Sequence, residues 1–197
     1  MQQRRIGPFE VSAIGLGCMN LSHAYAAPPP AEVAEALLLR ALDLGVTLFD
    51  TAALYGFGTS ETLLGKYLSK HRSKFTLASK CGMQGVPNAE GVKVRVIDGR
   101  PATIKATCEA ALKRLQTDVI DLYQAHIDDD KTPLEETMAA FDMLVKQGKV
   151  RAIGASNYSG ARLNEALRIS AARGLARYDC LQPNYNFIDR QPYENDL

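Results

Sequence analysis

Phe49-Asp50-Thr51-Ala52-Ala53-Leu54-Tyr55-Gly56 is the stretch on which the fold of this chain turns. It completes a short apolar run from Val46 that reads as a buried strand. An acid stands at that strand's end, and a phenol follows in a loop flanked by glycine. The strand fixes one ionisable group and the loop holds the other above it. In a parallel α/β protein that rim is where chemistry sits. Taken alone, the stretch is read equally well as a strand-end Asp opening a turn and a Tyr packing a loop. The segments on either side decide between the two.

Upstream, Gly7-Pro8 signals a small hairpin between Arg4 and Ser12. Ala13 to Met19 reads as a short strand in which Gly15 and Gly17 allow a ligand or a neighbouring backbone to approach. Gly15-Leu16-Gly17 lacks the third glycine and the following helix of a dinucleotide fingerprint. Pro28-Pro29-Pro30 leads into a helix over 31–44, striped by Leu37, Leu38, Ala41 and Leu42 and closed by Gly45. Downstream, the pattern predicts a helix from Ser60 to Leu68 and a strand over 75–79 ending at Lys80. A loop over 81–100 follows, with a short hairpin near 92–96, and then a helix from Pro101 to Leu115. The next strand, over 119–124, ends Ala125-His126. Thr132-Pro133-Leu134-Glu135 has the form of a capping box, opening a helix that closes at Gly148. A strand over 150–154 ends Ala155-Ser156-Asn157, and Ser159 caps a helix that stops at Gly174. Cys180-Leu181-Gln182 is a last short strand, and 183–197 reads as polar loop.

This rhythm predicts one α/β domain over residues 1–197 with a parallel sheet. Rhythm alone fits an open doubly wound sheet or a barrel. Asp50, Lys80, His126, Asn157 and Gln182 each stand at or just past the C-terminal end of a different strand. A barrel gathers such positions at one mouth, whereas an open sheet spreads them along an edge. Their placement favours the barrel.

Composition narrows the class. The chain has 197 residues, 46% of them hydrophobic, and a net charge of +1. A balance so near neutral argues against a nucleic-acid surface or a polybasic anchor. No apolar run reaches the length of a membrane span, and Met1-Gln2-Gln3-Arg4-Arg5 has no apolar segment behind it of the kind a secretory signal carries. Cys18, Cys81, Cys108 and Cys180 are widely spaced with no CxxC, and read as buried reduced thiols. A cytoplasmic location is the expectation.

Asp50, Tyr55, Lys80 and His126, sharing a mouth, make a proton-donating centre. A tyrosine with a pKa of about 10 is a poor acid at neutral pH. An ammonium roughly 4 Å from its oxygen is worth about 4 kcal/mol at an effective dielectric of about 20, near three pKa units. Burial opposes this, and a carboxylate beside the lysine keeps it charged while moderating its effect. His126 can hydrogen-bond a substrate oxygen. The set contains no nucleophile and suits protonation of a carbonyl oxygen as hydride reaches its carbon. Hydride chemistry requires a cofactor. Ser156, Asn157 and Gln182 offer side-chain donors and acceptors for a nicotinamide carboxamide, and Tyr185 can pack a ring. Other readings stay open: a rim salt bridge for Lys80, a structural role for His126, a turn with an N-cap for Ser156-Asn157. Asp128-Asp129-Asp130 reads as a solvated charge run rather than a metal site, although with Asp50 and His126 it leaves a metal-dependent hydrolase as a third reading.

The chain resembles the aldo-keto reductases, particularly their bacterial branch. The resemblance is carried by Gly15 to Met19, Phe49 to Ala52 with Leu54-Tyr55-Gly56, Ser60-Glu61, Leu64-Gly65 and Ser79-Lys80. It continues through Asp118 to Tyr123 with His126, Gly148 to Gly154 with Ser156-Asn157, and Gln182 to Asn186. It implies a (β/α)8 TIM barrel, of which about six βα units lie in this chain, so that the chain is expected to be incomplete at its C-terminus. It further implies NADPH as cofactor and reversible reduction of an aldehyde or ketone to an alcohol. Tyr55 is then the general acid, Asp50 and Lys80 its tuning pair, and His126 the residue that orients the carbonyl. Ser156, Asn157 and Gln182 hold the nicotinamide amide, with Gly17, Met19 and Asp50 near the same end. The alternative is a weakly catalytic, reductase-like sensor of dinucleotides or partner subunit.

Overall fold

The computed structural model describes residues 1–22 and 27–197. An antiparallel hairpin, β1 (Gln3–Ile6) and β2 (Phe9–Ser12), precedes a six-stranded parallel sheet. The sheet strands are β3 (Leu16–Gly17), β4 (Leu48–Asp50), β5 (Thr76–Cys81), β8 (Ile120–Ala125), β9 (Val150–Ser156) and β10 (Tyr178–Gln182), side by side in that order. Between them run α1 (Ala31–Asp43), α2 (Thr59–Leu68), α3 (Pro101–Leu115), α4 (Leu134–Lys146) and α5 (Gly160–Arg173). A second hairpin, β6 (Met83–Pro87) and β7 (Lys93–Ile97), sits between β5 and α3. No helix among the described residues is long and apolar enough to cross a membrane.

Strand alternation sorts the side chains into two layers. Phe49, Leu77, Tyr123 and Ile153 face outward, where they pack with Leu38, Leu64, Ile104, Phe141 and Ala166 of the helices. Ala78, Leu122 and Ala152 face inward, in register across β5, β8 and β9. The first hairpin closes the bottom of this interior with Ile6 and Phe9. It is tied there by Ser12 N to Thr47 Oγ1 at 2.8 Å and Thr47 N to Ser12 Oγ at 2.9 Å.

One contact decides between open sheet and barrel. The Gln182 amide at the end of β10 donates to Asp50 Oδ2 at the end of β4, at 3.3 Å. Four strand spacings separate those strands in the sheet order, roughly 19 Å if the sheet were flat. The sheet is therefore rolled, as the mouth residues predicted.

Several local expectations hold. Pro101 opens α3, and Ser159 Oγ accepts from Arg162 N at the start of α5. Gly15 lies so close to Leu48 that a Cβ would crowd it, whereas a Cβ on Gly17 would meet nothing. Others do not hold. The strand expected over 13–19 narrows to two residues, and the hairpin expected near 92–96 reaches from Met83 to Ile97. The capping box fails: Pro133 is the N-cap of α4, and Thr132 Oγ1 is spent on Asp129 Oδ2 at 2.7 Å. The tail is not all loop, since α6 (Gln191–Asp196) forms within it and its Asp196 accepts from Gly160 N at 2.7 Å.

Glu61 shows what locks helix to strand. It is 0% exposed; Ser79 Oγ donates to it at 2.6 Å, and the Arg114 guanidinium reaches it at 2.7 Å. One carboxylate thus joins α2, β5 and α3. Glu61→Ala is expected to lower unfolding free energy by about 3 kcal/mol, the low end for breaking a buried pair, because Arg114 is part-exposed and can rehydrate. Urea denaturation of the variant beside wild type checks this.

Candidate active site

The predicted site residues arrive together at the top of the roll. Asp50 ends β4, Lys80 is the penultimate residue of β5, His126 directly follows β8, Ser156 ends β9 with Asn157 next, and Gln182 ends β10. Lys80 is at the centre, 2% exposed. Its ammonium donates to both Asp50 oxygens at 2.7 and 2.6 Å, to the Thr51 carbonyl at 3.1 Å and to the Tyr55 phenol oxygen at 3.3 Å.

The loop after β4 delivers Tyr55 to that ammonium. Gly56, Phe57 and Gly58 all adopt left-handed backbone, at φ 57°, 52° and 99°. This reverses the chain sharply enough for α2 to begin at Thr59. Beneath the loop, Thr51 Oγ1 donates to Ser60 Oγ at 2.8 Å, and Ser60 Oγ to the Cys18 carbonyl at 2.9 Å. A buried chain of hydroxyls thereby links β4, α2 and the segment after β3.

Charge in the site is set by a contest between burial and pairing. For Lys80, burial works against the cation, but Asp50 and Tyr55 outweigh it and its pKa lies above the ordinary lysine value. For Tyr55, burial raises the phenol pKa by more than Lys80 lowers it, and Asp50 adds to the rise. The lowering expected from Lys80 is present but outweighed, so Tyr55 holds its proton at neutral pH.

The His126 ring stands edge-on to Tyr55, with centroids 5.7 Å apart at 85°. Burial, then the Lys80 and Arg95 charges, push its pKa down to about 4. Its Nδ1 is buried without a partner among the described residues, leaving Nε2 as the accessible nitrogen. Because the folded pKa lies below the unfolded 6.5, stability is full above pH 6.5 and is lost as pH falls through 4. The loss amounts to about 3 kcal/mol. His126→Gln is expected to flatten this part of the stability–pH curve, read from denaturation midpoints between those two pH values.

Ser156, Asn157 and Gln182 form a second cluster beside the first. Ser156 Oγ donates to the Gln182 carbonyl at 3.0 Å and accepts from Asn157 Nδ2 at 3.0 Å, while the same amide reaches the His126 carbonyl at 2.9 Å. Asn157 Oδ1 accepts no hydrogen bond among the described residues, and the Gln182 side chain makes only long bonds, 3.5 Å from Gln124 and 3.3 Å to Asp50. An acceptor and a weakly engaged amide are thus left at the mouth, which fits the donor and acceptor pattern of a carboxamide. Met19 lines the same cleft as Tyr55, His126 and Asn157, a space of about 610 Å³.

The profile of the Aldo/keto reductase family matches residues 13–196. The chain belongs to the aldo/keto reductase family. A probable aldo-keto reductase from Glycine max is 38% identical over 161 residues, covering 80% of this chain and 45% of the relative. Among solved structures, a glycerol dehydrogenase from Gluconobacter oxydans superposes with a TM-score of 0.84 at 32% identity, over 98% of this chain and 58% of that one. An aldo-keto reductase from Bacillus halodurans, solved in its holo form, gives 0.83 at 33% identity, over 98% and 61%. This reductase-family chain therefore spans about half the length of the curated relative and about three-fifths of the structures, and its sheet is part of their TIM barrel.

Some residues of the family chain sit elsewhere than expected, and some were missed. Tyr185 packs on Tyr193 at 4.9 Å and bonds Glu194, so it is not among the residues lining the cleft. Asp128 pairs with Arg162, and Asp129 accepts from Gly99 N and Thr132 Oγ1, so both serve loop structure. Phe57, Met83 and Arg95 line the cleft without having been singled out. The alternation of Lys93 and Arg95 between valines is the signal that could have found Arg95, since it places the two on one face.

Proposed function

We propose that this mouth reduces aldehydes and ketones reversibly to alcohols with NADPH, in a soluble cytoplasmic enzyme. The observation that carries the proposal is the Lys80 ammonium held between the Asp50 carboxylate and the Tyr55 phenol, with His126 edge-on to the same phenol. When bound, the nicotinamide supplies a hydride. Every other part of the chemistry falls to the chain. His126, neutral above its lowered pKa, donates from Nε2 to the substrate carbonyl oxygen and turns it toward Tyr55. Tyr55 gives its proton to that oxygen as the carbon becomes tetrahedral. Lys80 stabilises the phenolate left behind, and Asp50 keeps Lys80 charged. In the alcohol-oxidising direction the phenolate takes the proton back. Ser156, Asn157 and Gln182 would hold the carboxamide, together with Gly17, whose face is open, and Met19.

The test is aldehyde-dependent oxidation of NADPH carrying deuterium at the transferable position. Deuterium is expected at the carbinol carbon of the product. Tight NADPH binding without turnover of any aldehyde would favour a dinucleotide sensor instead.

A further inference from the structure

Arg95 stands in the cleft with nothing to hold. It lines the same space as Tyr55 and His126, on β7 of the second hairpin. Arg95 is exposed and makes no hydrogen bond or ion pair among the described residues, so its guanidinium donors are free toward the cleft. Its neighbours in the lining are otherwise uncharged: Met19, Leu54, Phe57, Met83 and Ile127 are apolar, and no acidic side chain lines the cleft among the described residues. Deeper in, Lys80 is already neutralised by Asp50. The field of the cleft is therefore positive at its outer wall and balanced at its base.

The hairpin is built to keep Arg95 there. Arg95 lies directly across from Gly85 in the antiparallel pair, so the two share one face. A side chain on Gly85 would collide with the Phe57 ring, so the ring occupies the place that the glycine leaves open. Lys93, two residues before Arg95 and on that same face, sits over the Phe57 ring at 5.4 Å. Phe57 in turn is set by its left-handed backbone in the Tyr55 loop. The arm that carries Arg95 is thus braced against the loop that carries the acid.

We propose that Arg95 is a specificity-determining residue, selecting carbonyl substrates that bear a carboxylate at the end away from the reacting carbon. A planar guanidinium with free donors in an apolar-walled cleft recognises a carboxylate bidentately, and its charge draws such a substrate inward. The substrate is then amphipathic, with its carbonyl at Tyr55 and His126, an apolar middle along Met19 and Phe57, and its acid at Arg95. This rests on the carbonyl-reducing reading above.

The test uses the longest natural chain that contains residues 1–197. para-Carboxybenzaldehyde and glutarate semialdehyde are each compared with their own primary amide. The acid is expected to exceed the amide by about tenfold or more in kcat/KM, expressed in KM, as for a charge-assisted hydrogen bond used equally in ground and transition states. Raising the salt should shrink that preference. Arg95→Gln should bring the ratio near one, Arg95→Glu should invert it, and Arg95→Lys should keep part of it. A wild-type ratio near one, or a ratio unmoved in Arg95→Gln, overturns the proposal. If neither these aldehydes nor any other is reduced, the reductase reading fails, and calorimetry with benzoate against benzamide still decides the role of Arg95. Benzoate binding about tenfold tighter, and only with Arg95 present, supports it. Equal binding of the two overturns it.

Discussion

Tyr55→Phe is expected to lower kcat for aldehyde reduction by about a hundred- to ten-thousand-fold, the usual worth of a positioned general acid. The substitution removes one oxygen and little else. The ring can keep its edge-on contact with His126, and Lys80 keeps Asp50 and Thr51. Its bond to the phenol, at 3.3 Å, is the longest of the four it makes. The fold and the Ser156–Asn157–Gln182 cluster are therefore expected to survive, with NADPH affinity little changed. Single-turnover hydride transfer, measured beside fluorescence titration with NADPH, separates the two. A rate within tenfold of wild type would remove Tyr55 from the role of proton donor.

Asp50→Asn is expected to be the most destabilising change at the mouth, by about 3–5 kcal/mol, because it leaves a buried ammonium without its counter-charge. Its signature lies in the pH dependence. In the wild type the folded pKa of Lys80 is raised, so its contribution is fully present below 10.5 and is lost only as pH rises through the higher folded value. In the variant burial prevails and the folded pKa falls below 10.5, so the unfolded chain binds the proton more tightly. Stability of the variant should therefore climb with pH toward 10.5, where that of the wild type does not. Guanidinium melts across the alkaline range check it. Parallel curves for the two proteins would mean that Asp50 is not what holds the Lys80 pKa up.

What could be read ahead of the structure depended on whether a residue's role is set locally. Asp50, Lys80, His126, Asn157 and Gln182 were legible because each ends an apolar run, and the end of a parallel strand is a place in space as well as in sequence. Glu61 carries part of the family resemblance, but its bond to Arg114 spans 53 positions, and no local pattern announces such a pair. Arg95 was missed because its direction depends on the register of a hairpin longer than its valines suggested. The Thr132 capping box failed for a local reason that spacing does not reveal: Asp129, three residues earlier, competes for the hydroxyl. The sign of the Tyr55 shift depended on how deeply the phenol is buried, which is a property of the packed barrel.

The first hairpin, with Ile6 and Phe9 against Ala78, Leu122 and Ala152, makes the interior a blind cup. Under a closed barrel, such a floor leaves the mouth as the way in. Whatever lies at the depth of the cup must enter before, and depart after, whatever covers it. The order of binding is then written into the shape of the vessel, and the pattern of product inhibition is where that order becomes visible.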